Sequence, residues 1–124
     1  LWQSGENAGF GVTEQPGAPA WFEVNVREGE AVRDFFAGLF ALTCETMTEM
    51  VYHTLHADGR PLFGVLQMTE AWDGIDPAWT AYFAVADPDP ALERMKGAGG
   101  ATPFGRVGVC KDPMDTVFSV IQLP

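Results

Sequence analysis

An α+β fold built from two copies of a strand-helix-strand-strand-strand unit is what this sequence predicts, on three observations. The segment Phe63-Gly64-Val65-Leu66-Gln67-Met68 returns as Phe118-Ser119-Val120-Ile121-Gln122-Leu123, so a module is repeated. Each copy opens with apolar and polar residues in alternation and then passes into a helical period. Finally, 124 residues with 47% hydrophobic content hold one domain with ample material for a packed core.

The elements follow in order. Residues 1–19 are rich in Gly, Pro and small polar side chains and read as an irregular lead-in, with Leu1-Trp2-Gln3 echoing the tail of the repeated strand. Residues 21–26 alternate, with Phe22, Val24 and Val26 on one face and Trp21, Glu23 and Asn25 on the other. Val32, Phe35, Phe36, Leu39 and Phe40 then fall at helical spacing, predicting an amphipathic helix whose aromatic stripe packs on the apolar strand face. Strands are expected at 44–49, 51–57 and 61–68, with Asp58-Gly59 turning the last two into a hairpin. A polar linker, 69–78, leads to the second copy. There 79–85 alternates, with Ala81, Phe83 and Val85 on the apolar side. Asp89 caps a helix that has Pro90 in its first turn and Leu92 and Met95 on its buried side, and Gly97, Gly99 and Gly100 stop it. Strands at 107–110 and 117–123 close the module. Val26 and Val85 are 59 apart but Phe63 and Phe118 only 55, so the second copy lacks four residues. The shortfall is expected at 101–104, in place of that module's second strand.

Composition excludes several function classes. A formal net charge of -10, with 7 Lys and Arg scattered along the chain, repels phosphate backbones and anionic lipid. Neither nucleic acid nor a membrane surface is an expected partner. No apolar run approaches the ~20 residues of a membrane span. Cys44 and Cys110 are too few for a disulfide framework and read as buried structural thiols, which points to a reduced, cytoplasmic setting. The glycines form no phosphate loop.

The order and spacing of Pro16-Gly17-Ala18, Trp21-Phe22-Glu23-Val24, the Phe35 to Phe40 stretch, Gly59-Arg60-Pro61, Trp79 to Val85, Gly105-Arg106-Val107-Gly108-Val109 and Asp112-Pro113 resemble the vicinal oxygen chelate superfamily of glyoxalases, bleomycin-resistance proteins and extradiol dioxygenases. The resemblance covers 16–123. It implies that modules 20–68 and 79–123 pair into an open, incomplete barrel, with helices on the outer face and a ligand site on the concave one. It also implies homodimers or tandem domains, with the lead-in as the end of a preceding domain. The metal-dependent members carry His or Glu at four strand positions. Here those positions hold Trp21, Gly64, Thr80 and Ser119, none a usual ligand for a divalent ion, so no metal cofactor is expected.

His53 and His56 are three apart in a strand and so cannot jointly hold one metal from regular backbone. His56 reads as a solvated strand-end residue. His53 reads either as a hydrogen-bonded core histidine or as a pocket-facing base, with Glu23 the other candidate for catalysis. Trp21, Glu23, Asn25, Thr80, Tyr82 and Ser119 are the expected ligand contacts: aromatic walls over an anionic, hydrogen-bonding floor, each good cation–π contact adding about 0.5 to 2 kcal/mol. The competing reading leaves Glu23 in water and Trp21 as filler. Gln67 and Gln122 read as amides that satisfy strand-end backbone, and Trp72 and Trp79 as cover for a core end or a partner contact.

Three functions follow. The first is a metal-free module binding a small apolar, aromatic or cationic molecule. The second is a lyase, isomerase or dioxygenase of the glyoxalase type with unusual metal ligands. The third is the non-catalytic half of a tandem-domain protein.

Overall fold

The computed structural model describes residues 3–95, 98–102 and 104–124 and divides them between two compact units, Trp21–Ala81 and the chain up to Ala20 with Tyr82–Pro124. Along the chain run β1 (Pro19–Val26), α1 (Gly29–Phe40), β2 (Thr43–Met47), β3 (Tyr52–Ala57), β4 (Arg60–Gln67), a 3-10 turn (Glu70–Trp72), β5 (Ala78–Ala84), α2 (Pro88–Met95), β6 (Ala98–Thr102), β7 (Gly105–Lys111) and β8 (Val117–Gln122). This is the α+β arrangement of two βαβββ modules that the sequence predicts. The expectation for Leu1-Trp2-Gln3 rests on Leu1 and Trp2, which lie outside the described residues.

In the first module the strands lie in the order β2-β3-β4-β1, with β3 antiparallel to both neighbours and β1 parallel to β4. Asp58 and Gly59 both take positive φ, 49° and 74°, as a two-residue hairpin turn with the twist of its strands requires. Val24, Leu55 and Val65 form the buried core, with Val26, Val32, Phe36, Ala37, Leu42 and Phe63 packed on it. The predicted aromatic stripe is corrected in part. Val32 and Phe36 face the sheet, but Phe35, Leu39 and Phe40 are exposed. Apolar residues occupy more of the helix circumference than one sheet face covers, and the core takes the side bearing Val32, Phe36 and Ala37.

The linker between β4 and β5 is held by one side chain. The Arg27 guanidinium donates to the carbonyls of Thr69, Trp72 and Ile75 at 3.4, 3.0 and 3.1 Å. Trp79 covers the core end, its ring edge-on to Phe36 and Phe63 at 5.6 and 5.2 Å.

The second module runs β5-β8-β7-β6, with β5 parallel to β8 and the other pairs antiparallel. Its core is Ala91, Cys110 and Val120, with Val85, Leu92 and Phe118 against it. The lead-in is anchored to this unit by reciprocal bonds, Gly17 N–H to Ala84 O at 2.8 Å and Ala84 N–H to Ala18 O at 2.9 Å.

Four expectations about this module are overturned. The helix begins two residues early because Asp87-Pro88-Asp89-Pro90 contains the cap signal twice. Asp87 Oδ1 accepts from the Asp89 N–H at 3.0 Å, Pro88 opens the helix, and Asp89 instead pairs with Arg106. The missing residues are not those of the second strand. Gly29 and Pro88 are 59 apart while Phe40 and Met95 are 55 apart, so the four-residue shortfall is one turn of helix. The second strand, β6, is present, and Gly99 and Gly100 belong to it rather than to a helix stop. Gly97 and the side chain of Met95 fall outside what is described. Gly99 pairs with Gly108 beneath Leu92, and a Cβ on either would collide with the Leu92 side chain, so these glycines let α2 approach the sheet. Lastly, Phe83 stands where Val24 stands in the first module, yet it is half-exposed, because the shorter helix covers less of the strand face.

Candidate functional site

Alternation along β1 sends Val24 and Val26 to the helix side and Trp21, Glu23 and Asn25 to the other. On that second face of the first unit the Trp21 indole N–H donates to the Tyr52 hydroxyl at 2.7 Å. Tyr52 is buried, and its ring lies over Gly64: a Cβ there would collide with the phenol. Gly64 in turn sits opposite Glu23 in the β1–β4 register, and Glu23 is only 5% exposed. Two residues on, Asn25 Nδ2 donates to Thr80 Oγ1 at 3.3 Å, while Asn25 Oδ1 is buried with no partner among the described residues. An orphaned acceptor of this kind costs about 1–3 kcal/mol. Trp21, Glu23, Asn25 and Thr80 are therefore brought together in one unit.

Tyr82 and Ser119 belong to the second unit, where they are register partners on β5 and β8; Ser119 is buried and Tyr82 half-buried.

His53 sits elsewhere. It pairs with core Val65 across β3 and β4 and so lies on the helix side, behind the face that carries Glu23. It is 1% exposed; Nδ1 is 2.9 Å from Thr46 Oγ1, and Nε2 is buried without a partner among the described residues. Burial pushes its pKa below the usual histidine value and the Arg33 charge adds to this, opposed by Glu30 and Asp34. Of the two readings, the core histidine matches this position. His56 is half-buried rather than fully solvated, beside an irregularity in the β3–β4 register. Cys110 is buried as expected and its thiol pKa is raised by that burial, but Cys44 is exposed, because β2 ends its half of the strand order with little packed over it. Gln122 Nε2 donates to Ala86 O at 2.7 Å, the strand-end role expected of it.

The residues at the four family ligand positions do not suit a divalent ion. The Trp21 indole is bound to Tyr52, Gly64 has no side chain and a phenol over it, the Thr80 hydroxyl is engaged by Asn25, and Ser119 offers a neutral hydroxyl. Among the described residues no three His, Cys, Asp or Glu side chains gather as a metal set. Two open depressions of ≈ 460 and ≈ 290 Å³ lie at the end of β8 in the second unit, against Arg106, Gln122 and Pro124 and against Glu14, Ala84 and Pro124 respectively. In the first, Arg106 is already paired with Asp87 and Asp89. No helix among the described residues is long and apolar enough to cross a membrane.

Tyr52 was not anticipated from sequence. The signal was Gly64 itself, since a glycine inside a strand often marks the close approach of another group.

No family model matches the chain. Among curated proteins it is 32% identical over 128 residues to the anthracycline biosynthesis protein DauV of Streptomyces sp. (strain C5), covering 85% of this chain and 46% of DauV. It is 27% identical over 133 residues to CFP32 of Mycobacterium tuberculosis, a provisionally named glyoxylase, covering 98% of this chain and 50% of CFP32. The chain thus spans about half the length of the curated relatives it matches. A solved structure from Vibrio splendidus 12B01, described as a glyoxalase/bleomycin resistance protein/dioxygenase superfamily member, matches with a TM-score of 0.58 at 14% identity, covering 82% of this chain and 96% of that one. The resemblance drawn from the sequence, and the open-barrel class it implies, are borne out.

Proposed function

Starting from the fold of the vicinal oxygen chelate superfamily, which this chain carries, we propose that it binds a small apolar, aromatic or cationic molecule without metal chemistry. The observation that carries the reading is the Trp21–Tyr52 pair seated over Gly64: where metal-dependent members hold two ligands, this face has an aromatic wall. Because the indole N–H is engaged by Tyr52, Trp21 offers a ligand its π face. Glu23 adds a carboxyl group on the same face, and Asn25 Oδ1 an acceptor with no partner among the described residues. A flat, aromatic ligand is further supported by the naming of one relative for anthracycline biosynthesis.

The test is a thermal-shift screen of planar aromatic and cationic compounds, with metal analysis of the purified chain alongside. A ligand at about 100 times its Kd adds ~2.7 kcal/mol of stability. Trp21→Ala removes the wall and is expected to abolish the shift; Trp21→Phe keeps a ring and retains part of it. Equal affinity in wild type and Trp21→Ala, or stoichiometric bound zinc, iron, nickel or manganese, sinks the proposal.

A second reading has one observation in its favour. Because the curated relatives are about twice as long, the chain can act as the non-catalytic half of a larger protein. An absence of any ligand response here, together with a response in a two-domain form, supports it.

A further inference from the structure

Helix α1 begins on a buried histidine. Its N-cap, Glu28, gives the first turn no side-chain hydrogen bond, so that turn is held less firmly than a capped one. Its first residue, Gly29, is buried, and a Cβ there would stand 3.2 Å from Gln67 Oε1 and 3.5 Å from His53 Nε2. Nε2 is the ring nitrogen without a partner among the described residues, while Nδ1 is held by Thr46. Only Arg27 and Glu28 separate Gly29 from the end of β1, and Arg27 is the side chain that grips Thr69, Trp72 and Ile75. We infer that these parts form an acid-triggered latch: protonation of His53 lifts the first turn of α1, and the lifted turn draws Arg27 off the connection between β4 and β5.

The surroundings of the imidazole decide where it yields. The charges that act on it come from α1: Arg33 opposes a proton, Glu30 and Asp34 favour one, and Arg33 is paired with Asp34. From β2 it meets the Thr46 hydroxyl, with the Cys44 thiol 3.8 Å beyond, and near Gly29 the neutral Gln67 amide of β4. Burial outweighs the two carboxylates. A charge on this ring also sits beneath the positive end of the α1 dipole, which repels it. Water must therefore reach Nε2. His53 cannot move to meet it, because β3 is laddered to β2 on one side and β4 on the other. The uncapped helix start is the freer wall. With the turn open the imidazole titrates near its ordinary value, ~6.5, and with the turn closed it titrates lower. The latch is thus fully shut above about 6.5 and loosens as pH falls toward the closed-form value. Between pH 7.5 and 5.5 one proton raises the open fraction by up to about tenfold.

Amide hydrogen exchange read by NMR at the two pH values, each corrected for its intrinsic rate, tests the inference. The amides to follow are Val32, bonded to Glu28 O, and Trp72, Asp73 and Ile75, bonded to the carbonyls of Thr69, Glu70 and Trp72. All four are expected to exchange about three- to tenfold faster at pH 5.5, while those of β3 keep their protection. His53→Gln, which cannot titrate, is expected to abolish the change. Glu28→Ser leaves His53 in place and caps the helix, so it is expected to slow exchange at both places about fivefold and keeps the test open if the histidine variant fails to fold. Arg27→Gln is expected to free the connection at either pH while Val32 still responds, which fixes the direction of the coupling. The inference is overturned by a Val32 or a connection that does not respond to pH, by a response that persists in His53→Gln, or by equal acceleration of β3, which would be global unfolding.

Discussion

The two modules share a plan and differ by one turn of helix. α1 has 12 residues and α2 has 8, and the buried positions correspond at the shorter spacing: Leu55 with Cys110, Val65 with Val120. At the first of these pairs the first module has a leucine and the second a cysteine. The first module therefore builds a wider apolar core beneath a longer helix, while the second fits a shorter helix closely onto a sheet cleared by Gly99 and Gly108. Similar strand plans thus reach close packing by opposite means, one by filling the space and the other by vacating it.

Truncating the paired core positions breaks that comparison most directly. Leu55→Ala is expected to cost about 3–4 kcal/mol and Cys110→Ala about 1 kcal/mol, measured by urea unfolding. Equal costs would mean that the first core is not the better filled. The next largest effect comes from adding a methyl where there is no room. Gly64→Ala pushes into a phenol ring fixed by the Trp21 bond and is expected to cost about 2–3 kcal/mol. Gly108→Ala meets the Leu92 side chain from Cγ outward, an aliphatic group with no hydrogen bond to hold it in place, and is expected to cost less, about 1–2 kcal/mol. A larger loss at Gly108 than at Gly64 would reverse the assignment of the tighter contact.

The smallest effect is one of pH. His53 is buried with a lowered pKa, and the position 55 residues on is Gly108, so the first module alone carries this liability. In the unfolded chain the histidine takes up a proton as pH falls through about 6.5, whereas in the folded chain it does so only at lower pH. Stability is therefore complete above about 6.5 and declines as pH falls below it, toward the folded value. Urea midpoints at pH 7.5 and pH 5.5 are expected to differ in wild type and to converge in His53→Gln. An unchanged gap in that variant would assign the acid sensitivity to other groups.

Sequence reading recovered whatever is written locally. The two faces of β1 follow from alternation, the hairpin from Asp58-Gly59, and the repeat from a strand copied almost residue for residue. It failed where a local signal is degenerate or a contact is distant. Tandem Asp-Pro dipeptides offer two caps, and only the packing of α2 chooses between them. Glycines that suit a helix stop also suit a strand pressed under Leu92. A helix apolar around most of its circumference does not declare which side the sheet takes. On the candidate site, Trp21, Glu23 and Asn25 were placed on one face by their parity alone. Tyr52 was not, because its partners lie 31 residues before it and on the neighbouring strand.

The grip of Arg27 on the connection between β4 and β5 bears on how the chain is digested. A protease must draw a segment into extended form before cutting it, and here that means peeling three carbonyls off one guanidinium. Cleavage is expected to begin instead in the exposed residues 3–16. The expected trimmed product keeps the connection between β4 and β5 intact.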